Sequence, residues 1–475
     1  MAVRLIESFL SAVDRDPEGI VVREGSDGPT WSRVQILRTA SHLAHRLEQE
    51  VDGAGAVMLH GPSGGGFWAG LLAGFATGRS VLPVGSESTD RERAALADAH
   101  TFAAVIETSS IGSWGSPPPG TPVVGIEADH RTAVRDLPRR ASECRLLLRS
   151  SGTTDRPAVA VRSAAAIDRV ASVLVDRLSL NAEDEIYVAL PMQHAYGMEH
   201  GVLAPIMAGS RIGWSKGLDP LQAADAVSNG ATVLPTVPAI LDGLARESNA
   251  DSGLRLVYTA GSPLPRTTAT RFLETWGIDP GDLYGMTEVG TIAYGTGGRI
   301  APVDGVDVRI LGPDGAVVRS GEGEILVRSD AMFDGYVVDD GNVPDPGRRI
   351  DGLLRTGDLG DVDASGTIRI TGRAKVQFDV GGLKVNPEEI EAVLREDPDV
   401  VDAAVAPLRL SETVTRVQAF VVWREGIDRD RATDALRSRT QEELAVHQRP
   451  RSIEAVASLP RTATGKLRRG MLESV

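Results

Sequence analysis

The chain has little cysteine and no long basic run. Among its 475 residues the single cysteine is Cys144, so no intramolecular disulfide can form, and a reducing, cytoplasmic setting is predicted. The 65 acidic residues outnumber the 50 basic ones, which gives a formal net charge of −15. A nucleic-acid-binding protein is expected to carry a basic patch or stripe, so the composition argues against that class.

Two segments lack the features of targeting and membrane sequences. Residues 1–14 contain Arg4 and Glu7 and have no apolar core, which argues against a signal peptide. Residues 53–78 contain no Asp, Glu, Lys or Arg and are longer than the ~20 residues of a membrane span. However, nine glycines and Pro62 interrupt this stretch, which predicts a strand over residues 54–59, a turn, and a buried helix over residues 67–76. We therefore expect no membrane association.

Lysine is also scarce. Only four of the 50 basic residues are lysines, and these are Lys216, Lys375, Lys384 and Lys466. Arginine does not replace lysine where a compact charge on a flexible stem is needed. Where lysine does occur in this arginine-rich chain, its chemistry is expected to matter.

The length predicts two or three domains. Short apolar runs alternate with helix-like segments through the first two thirds, which predicts layered α/β subdomains. From about Val303 short strands and turns predict a small β-barrel-like region. Beyond Gly372 a smaller α+β unit is predicted, in which Asn386 caps a helix with Pro387 at its first position. We predict a large N-terminal domain over residues 1–374 and a small C-terminal domain over residues 375–475.

Two segments are candidates for phosphate binding. Residues 64–69 fit a loose G-x-G-x-x-A pattern, and Glu87 lies roughly where a dinucleotide site needs an acid, although a tight strand-to-helix turn explains the glycines more simply. In residues 149–157 four hydroxyl side chains surround Gly152 after an apolar run. Backbone N–H groups and hydroxyls of such a loop can hold phosphate oxygens. From this segment alone, a phosphate loop and a polar surface turn are equally supported.

The order of the later segments is more specific. The sequence contains PMQHAYG at 191–197, AGSPL at 260–264, YGMTE at 284–288, TGDL at 356–359, GRAK at 372–375 and PRTATGK at 460–466. This series closely resembles the adenylate-forming superfamily of acyl-CoA synthetases, aryl-CoA ligases, peptide-synthetase adenylation domains and firefly luciferase. The resemblance runs from about residue 30 to the C-terminus. It implies an AMP-forming ligase that converts a carboxylic acid and ATP into an acyl-adenylate and pyrophosphate, then passes the acyl group to CoA.

The resemblance also implies ATP and Mg²⁺ as cofactors, CoA as a candidate co-substrate, and a role for each matched residue. The implied nucleotide-binding residues are Ser151, Gly152, Thr153 and Thr154 at the β- and γ-phosphates, Ala260, Gly261 and Ser262 at the adenine edge, Tyr284 stacked on the adenine with Gly285 and Met286 after it, and Asp358 and Arg373 at the ribose. The implied catalytic residues are Lys466 between the carboxylate and the α-phosphate, Thr287 at the α-phosphate, Glu288 as the Mg²⁺ ligand, and His194 at the acyl pocket. Lys375 is the implied hinge, about which the resemblance implies that the small C-terminal domain is mobile.

Taken singly, these residues have simpler explanations. Glu288 or Asp358 alone would be an ordinary solvated acid, His194 a core histidine with satisfied hydrogen bonds, and Lys466 part of a basic tail. Their joint occurrence in the family's order favours the functional interpretation.

The sequence shows three departures from the family pattern. Ala158 stands where the phosphate loop usually has lysine, Asp155 where it has glycine, and Phe378-Asp379 where CoA ligases commonly have Ile-Lys. These departures predict a weakened grip on ATP. They leave three alternatives open, namely transfer to a carrier-protein thiol, coupling to a nitrogen nucleophile in a specialised pathway, and a non-catalytic nucleotide-binding relative. The acid itself, whether aryl, fatty or amino-aryl, is not assigned.

Overall fold

The computed structural model describes most of the chain. The described residues are 4–25, 28–53, 55–86, 88, 92–94, 96, 101–108, 121–126, 137–138, 140–149, 158–215, 219–246, 253–262, 264–338, 341–343, 348–380, 383–410, 415–462 and 467–474. The residues of the predicted site that lie outside these ranges are Ser151, Gly152, Thr153, Thr154 and Lys466, together with Glu87 of the dinucleotide hypothesis.

Strands and helices alternate in the first half, and strands dominate the second. The strands are β1 (Ile20–Glu24), β2 (Thr30–Ser32), β3 (Val57–Gly61), β4 (Ser80–Gly85), β5 (Ala104–Glu107), β6 (Val123–Gly125), β7 (Arg145–Arg149), β8 (Val159–Ser163), β9 (Glu185–Val188), β10 (Arg211–Trp214), β11 (Val233–Thr236), β12 (Leu256–Ala260), β13 (Gly281–Met286), β14 (Gly290–Thr296), β15 (Arg299–Pro302), β16 (Val306–Leu311), β17 (Val317–Val318), β18 (Gly321–Ser329), β19 (Gly335–Val338), β20 (Gly341–Val343), β21 (Arg349–Ile350), β22 (Leu353–Val362), β23 (Ile368–Arg373), β24 (Phe378–Val380), β25 (Leu383–Val385), β26 (Val400–Arg409), β27 (Thr415–Trp423) and β28 (Pro450–Ala455).

The α-helices with described bounds are α1 (Arg4–Arg15), α2 (Arg33–Glu50), α3 (Gly65–Ala76), α4 (Ala164–Leu178), α5 (Ala195–Met198), α6 (Ala204–Ala208), α7 (Pro220–Ser228), α8 (Pro238–Leu244), α9 (Arg266–Trp276), α10 (Pro387–Arg395) and α11 (Arg429–Glu443). A π-helical turn, Glu199–Leu203, joins α5 to α6. Among the described helices, none has the length and hydropathy that crossing a membrane requires.

The larger sheet changes from parallel to antiparallel at β13. On one side lies the parallel series β1, β10, β9, β11, β12 and β13. On the other side β14, β15, β23, β22, β18, β16 and β17 follow with antiparallel pairing. Of these, β16, β17, β18, β22 and β23 follow Val303 and fall in the region predicted to be β-barrel-like, whereas β14 and β15 precede it; the pairing of β15 with β23 joins the two sets in one sheet. The predicted nucleotide-binding segments at the ends of β12 and β13 therefore lie where the two halves meet.

The second sheet contains the strand of the uncharged stretch, β3, and the helix of that stretch, α3, packs on the sheet. Its strands lie in the order β20, β19, β8, β7, β4, β3, β5 and β6, and it is parallel from β7 to β6. All residues of α3 are buried, and its glycines allow close packing on the sheet. A Cβ at Gly70 would lie 2.5 Å from Leu59 Cδ1, and one at Gly74 would lie 2.5 Å from Val81 Cγ2. The strand, turn and buried helix predicted for residues 53–78 are thus observed.

The C-terminal part has its own apolar core and a small three-stranded sheet, β26–β27–β28. Val385, Ile390, Leu394 and Leu436 are buried together in this core. The predicted cap is present, because the Asn386 side chain accepts a hydrogen bond from the backbone N–H of Glu388 at 3.2 Å. The α/β class with a smaller α+β part is confirmed. The boundary at residues 374 and 375 and the mobility of the small part stay predictions.

Candidate active site

The tip between β13 and β14 carries two of the predicted catalytic residues, Thr287 and Glu288. The backbone N–H of Val289 donates to the Met286 carbonyl at 3.1 Å, which closes the turn. The N–H of Phe333 donates to the Glu288 carbonyl at 2.8 Å. Because neighbouring segments bind this backbone, the direction of both side chains is constrained.

Glu288 lies in a buried polar cluster. Its side chain is only 8% exposed, and its Oε1 accepts a hydrogen bond of 2.5 Å from the Tyr336 hydroxyl. Arg348 Nη1 lies 3.5 Å from the same oxygen and donates to the Tyr336 hydroxyl at 2.6 Å. The positive guanidinium compensates the carboxylate, which would be costly to bury alone.

Glu288 fits the predicted magnesium site as a single ligand. The described residues contain no group of three or more His, Cys, Asp or Glu side chains that could hold a metal ion. Mg²⁺ is commonly bound by one or two carboxylates, with substrate phosphates and water completing its octahedron. A carboxylate has about four acceptor positions, so Glu288 can bind an ion while keeping the hydroxyl of Tyr336.

Three predicted nucleotide-binding residues lie in direct contact. Asp358 on β22 is 4% exposed. Its Oδ2 accepts from the Tyr284 hydroxyl at 2.7 Å, and its Oδ1 accepts from Arg373 Nε at 2.8 Å. Burial and, secondly, the Asp358 charge hold the pKa of Tyr284 well above its usual range. The Asp358 carboxylate in turn raises the pKa of Arg373. These two hydrogen bonds fix the orientation of the Asp358 carboxylate.

The capacity of Asp358 matches its predicted ligand. A carboxylate offers about four lone-pair positions, of which Tyr284 and Arg373 occupy two. Among the described contacts two positions remain for donors, which is the number of free hydroxyls on the ribose of a nucleotide. The recognition of ribose by Asp358 stays a prediction.

The segment after β12 is shaped by backbone geometry. Gly261 has φ +89, a left-handed conformation that favours glycine, and it is exposed together with Ser262. Ala260 is buried and pairs with Leu283 on β13, next to Tyr284. At Gly285 an added Cβ would lie 2.6 Å from the Gly290 carbonyl, so a larger residue would force the two strands apart.

His194 occupies the N-cap position of α5 and is partly buried. Its carbonyl accepts from the Met198 N–H at 2.8 Å. Two residues on, the Tyr196 hydroxyl donates to the Thr236 carbonyl at 3.0 Å, at the end of β11. An added Cβ at Gly197 would lie 2.1 Å from the Pro191 carbonyl, so the glycine lets α5 pack on the loop that precedes it.

The structure adds buried charged and polar residues that the motifs do not contain. Arg162 on β8 is fully buried and lies 2.7 Å from Glu199 of the π-helical turn. Beside it, His200 Nδ1 lies 2.8 Å from the Tyr258 hydroxyl. Burial lowers the pKa of His200 to about 3, so its imidazole is neutral at physiological pH. The available sequence signal was the placement of charged residues inside otherwise apolar segments, VAVRS and GMEHGVLAP.

Two family models match the chain. The model described as AMP-binding enzyme matches residues 9–337, and the model of the AMP-binding enzyme C-terminal domain matches residues 389–466. The chain belongs to the AMP-binding enzyme family. This confirms the predicted adenylate-forming superfamily and the class of AMP-forming ligase.

Similar AMP-binding enzymes include several CoA ligases. The chain is 29% identical over 372 residues to a sulfoacetate–CoA ligase of Cupriavidus necator, an alignment that covers 74% of this chain and 71% of that protein. It is 33% identical over 344 residues to an indoleacetate–CoA ligase of Aromatoleum aromaticum, covering 68% and 66%. Over all of this chain and 99% of the other, it superposes on ATP-bound MatB from Rhodopseudomonas palustris with a TM-score of 0.85 at 24% identity, which shows a shared fold.

The geometry brings together two groups of predicted residues within this family's fold. One group comprises Tyr284, Asp358 and Arg373, which are in mutual contact through the carboxylate. The other is the adjoining tip with Thr287 and Glu288, which continues directly from the strand of Tyr284. The backbone of Lys375 lies in a short 3₁₀ helix, Ala374–Val376, immediately after Arg373. The roles assigned to these residues stay predictions.

Proposed function

We propose that this AMP-binding enzyme activates a carboxylic acid with ATP and transfers the acyl group to the thiol of CoA. The observation that carries the proposal is the continuity of the site. Strand β13, whose Tyr284 binds Asp358, leads directly into the tip with Thr287 and Glu288. A nucleotide with its ribose at Asp358 and its phosphates at the tip would be bound by adjacent residues. Relatives named as CoA ligases support the choice of acceptor.

The first step is attack of the acid on ATP. A carboxylate oxygen attacks the α-phosphorus, the bond to the bridging oxygen of the β-phosphate breaks, and pyrophosphate leaves with that electron pair. No proton is transferred, so the site must mainly stabilise negative charge and align the reactants. Thr287 would donate to the α-phosphate, Lys466 would bridge the two anions, and Mg²⁺ held by Glu288 would neutralise phosphate charge. Ser151, Thr153 and Thr154 would bind the departing pyrophosphate.

The second step transfers the acyl group. The CoA thiol loses its proton to solvent and attacks the acyl carbon, the bond from that carbon to the phosphate oxygen breaks, and AMP leaves with the electron pair. We propose that the C-terminal part rotates about Lys375 between the steps, which would withdraw Lys466 and admit the thiol. His194 would border the acyl pocket and exclude water from it while the adenylate is bound.

The decisive experiment traps the intermediate. Hydroxylamine converts an acyl-adenylate to a hydroxamate, so a panel of aryl, fatty and amino-aryl acids with ATP and Mg²⁺ tests the first step without CoA. We expect hydroxamate from at least one class of acid. Lys466→Ala should reduce its formation by a factor of about 100 or more, the scale expected when a group that aligns and stabilises the transition state is lost. Lys216→Ala, which removes a lysine outside the proposed machinery, is the matched control.

Each outcome of this experiment decides something. No hydroxamate from any acid, or undiminished hydroxamate with Lys466→Ala, would refute the proposed first step. The acceptor is then tested by supplying CoA, a phosphopantetheinylated carrier protein or an amine to the active acid and identifying the product by mass spectrometry. We expect the CoA thioester to form fastest. If the carrier protein or the amine reacts faster, that group and not CoA is the acceptor.

A further inference from the structure

Arg162 is a charged side chain that the proposed chemistry does not use, although it lies beside the tip. It is on β8, between the apolar Val161 and Ser163, and its exposed fraction is 0%. Charged side chains are almost never fully buried unless they are paired. The contacts of this guanidinium therefore show what it does in the fold.

The guanidinium binds one backbone carbonyl with two of its nitrogens. Nε and Nη2 of Arg162 donate to the Thr287 carbonyl at 3.1 and 2.6 Å. The third nitrogen, Nη1, donates to Glu199 Oε1 at 2.7 Å. The planar guanidinium fixes these donors in a rigid fork, so the position of Glu199 determines where the fork points. The carboxylate also borders the tip itself, because an added Cβ at Gly290 would lie 3.5 Å from both of its oxygens.

The contact completes the anchoring of the tip. The carbonyls of three successive residues, Met286, Thr287 and Glu288, are bound by Val289, Arg162 and Phe333 respectively. Two of these anchors are backbone N–H groups. Only the central one depends on a side chain, so it is the anchor that a substitution can remove without altering the backbone.

We propose that Arg162, oriented by Glu199, is a positioning residue that holds the Thr287–Glu288 peptide in the geometry required for adenylation. The inference rests on the proposed function, since it concerns the same reaction. Arg162 contacts neither reactant in this scheme. It acts on the carbonyl of Thr287, whose side chain would bond the α-phosphate, and on the peptide that leads to the proposed ligand of Mg²⁺.

A purely structural role is the alternative. Replacing both members of a buried ion pair by apolar residues of similar volume is often neutral or stabilising, whereas removing one member leaves a buried charge unpaired. The double substitution R162M/E199M therefore separates the two roles. A structural role predicts a protein of altered stability whose folded molecules react normally. The positioning role predicts a folded protein with a slow chemical step.

The experiment measures kcat and KM for ATP by hydroxamate formation with the best acid of the panel. We expect R162M/E199M to lower kcat by a factor of about 30 to 100 with KM for ATP changed less than about threefold, because a displacement near 1 Å costs roughly that much in an oriented reaction. Arg162→Lys, which can donate to the same carbonyl without the fork, should recover part of the loss. Hydrogen–deuterium exchange should be faster at the amides of residues 287–290 in the double variant.

Arg79→Met is the matched control. Arg79 is also buried, and its Nη2 donates to the carbonyls of Leu47 and Val51 at the end of α2, outside the proposed site. This variant should lose stability but keep its kcat per folded molecule.

The outcomes separate this inference from the proposed function. Wild-type protein that makes no hydroxamate refutes the adenylating function and, with it, the need to position the tip. If the wild type is active, the inference is overturned when R162M/E199M keeps its kcat within threefold, or when Arg79→Met lowers kcat by the same factor.

Discussion

Asp358→Asn tests the proposed ribose site most directly. The substitution keeps the shape of the side chain but removes its charge and exchanges one acceptor oxygen for an N–H donor. In the wild type both oxygens accept, from the Tyr284 hydroxyl and from Arg373 Nε. The asparagine oxygen can serve only one of these donors, while its amide nitrogen faces the other. The substitution should therefore weaken folding and nucleotide binding, for separate reasons.

The expected loss of stability is moderate. A hydrogen bond to a charged acceptor contributes about 1.5–3 kcal/mol, and Tyr284 forms such a bond with a buried carboxylate. The side chain of Arg373 is 54% exposed, so its ion pair contributes no more than about 1 kcal/mol. We expect urea unfolding to show a loss of about 2–3 kcal/mol, in line with breaking one charge-assisted hydrogen bond.

The expected loss in binding comes from the free acceptor positions. If a ribose hydroxyl loses a charged acceptor, about 1.5–3 kcal/mol is lost. That corresponds to a Kd for ATP·Mg²⁺ raised by roughly 10- to 150-fold, which isothermal titration would measure. Asp361→Asn is the control on the same strand, because Asp361 lies 3.8 Å from Arg369 and its side chain is 33% exposed. If Asp358→Asn binds ATP within threefold of the wild type, Asp358 does not hold the ribose.

Two further substitutions test local features of the site. Burial raises the pKa of Asp282 from its ordinary 3.8 to about 6, so the folded state holds this proton more tightly and stability falls as pH rises from about 4 to about 6. Asp282→Asn should therefore stabilise the protein by up to ~3 kcal/mol at pH 7.5 and by less at pH 5. Equal gains at both pH values in urea unfolding would contradict this. Gly197→Ala should cost about 1–3 kcal/mol, because the new Cβ would lie 2.1 Å from the Pro191 carbonyl. Gly253→Ala, with nothing within 4 Å of its added Cβ, is its control, and a similar unfolding midpoint for the two glycine variants would refute the packing argument.

The sequence predicted those elements whose start or end is determined by residues close to them in the chain. The cap at Asn386 depends on the next two residues, and the uncharged stretch at 53–78 contains its own breaks. Both were therefore readable from the sequence. The bounds were less accurate, since the strand expected at 54–59 is Val57–Gly61. Hydrogen bonding to neighbouring strands sets such ends, and one chain segment does not contain that information.

In the candidate site, too, some residues were predicted from local motifs and others are brought together only by the fold. The order of the motifs named Tyr284, Asp358 and Arg373, but it gave no sign that Asp358 would already accept two hydrogen bonds. Arg162 and Glu199 are far apart in the sequence, and neither belongs to one of the motifs described above. Their meeting depends on β8 and the π-helical turn packing beside one hairpin. A pairing of this kind follows from the assembled fold and not from any local pattern.

The pairing of β19 with β8 also has a consequence for how the chain is made. Val159 and Val161 of β8 pair with Val337 and Gly335, which the ribosome adds much later. At synthesis rates of ~5–20 residues per second, the edge of β8 remains unpaired with β19 for on the order of 10 to 35 seconds. An open, apolar strand edge is a template for association with other chains. Nascent chains that stop before Gly335 should therefore aggregate more readily than chains that extend beyond Val338.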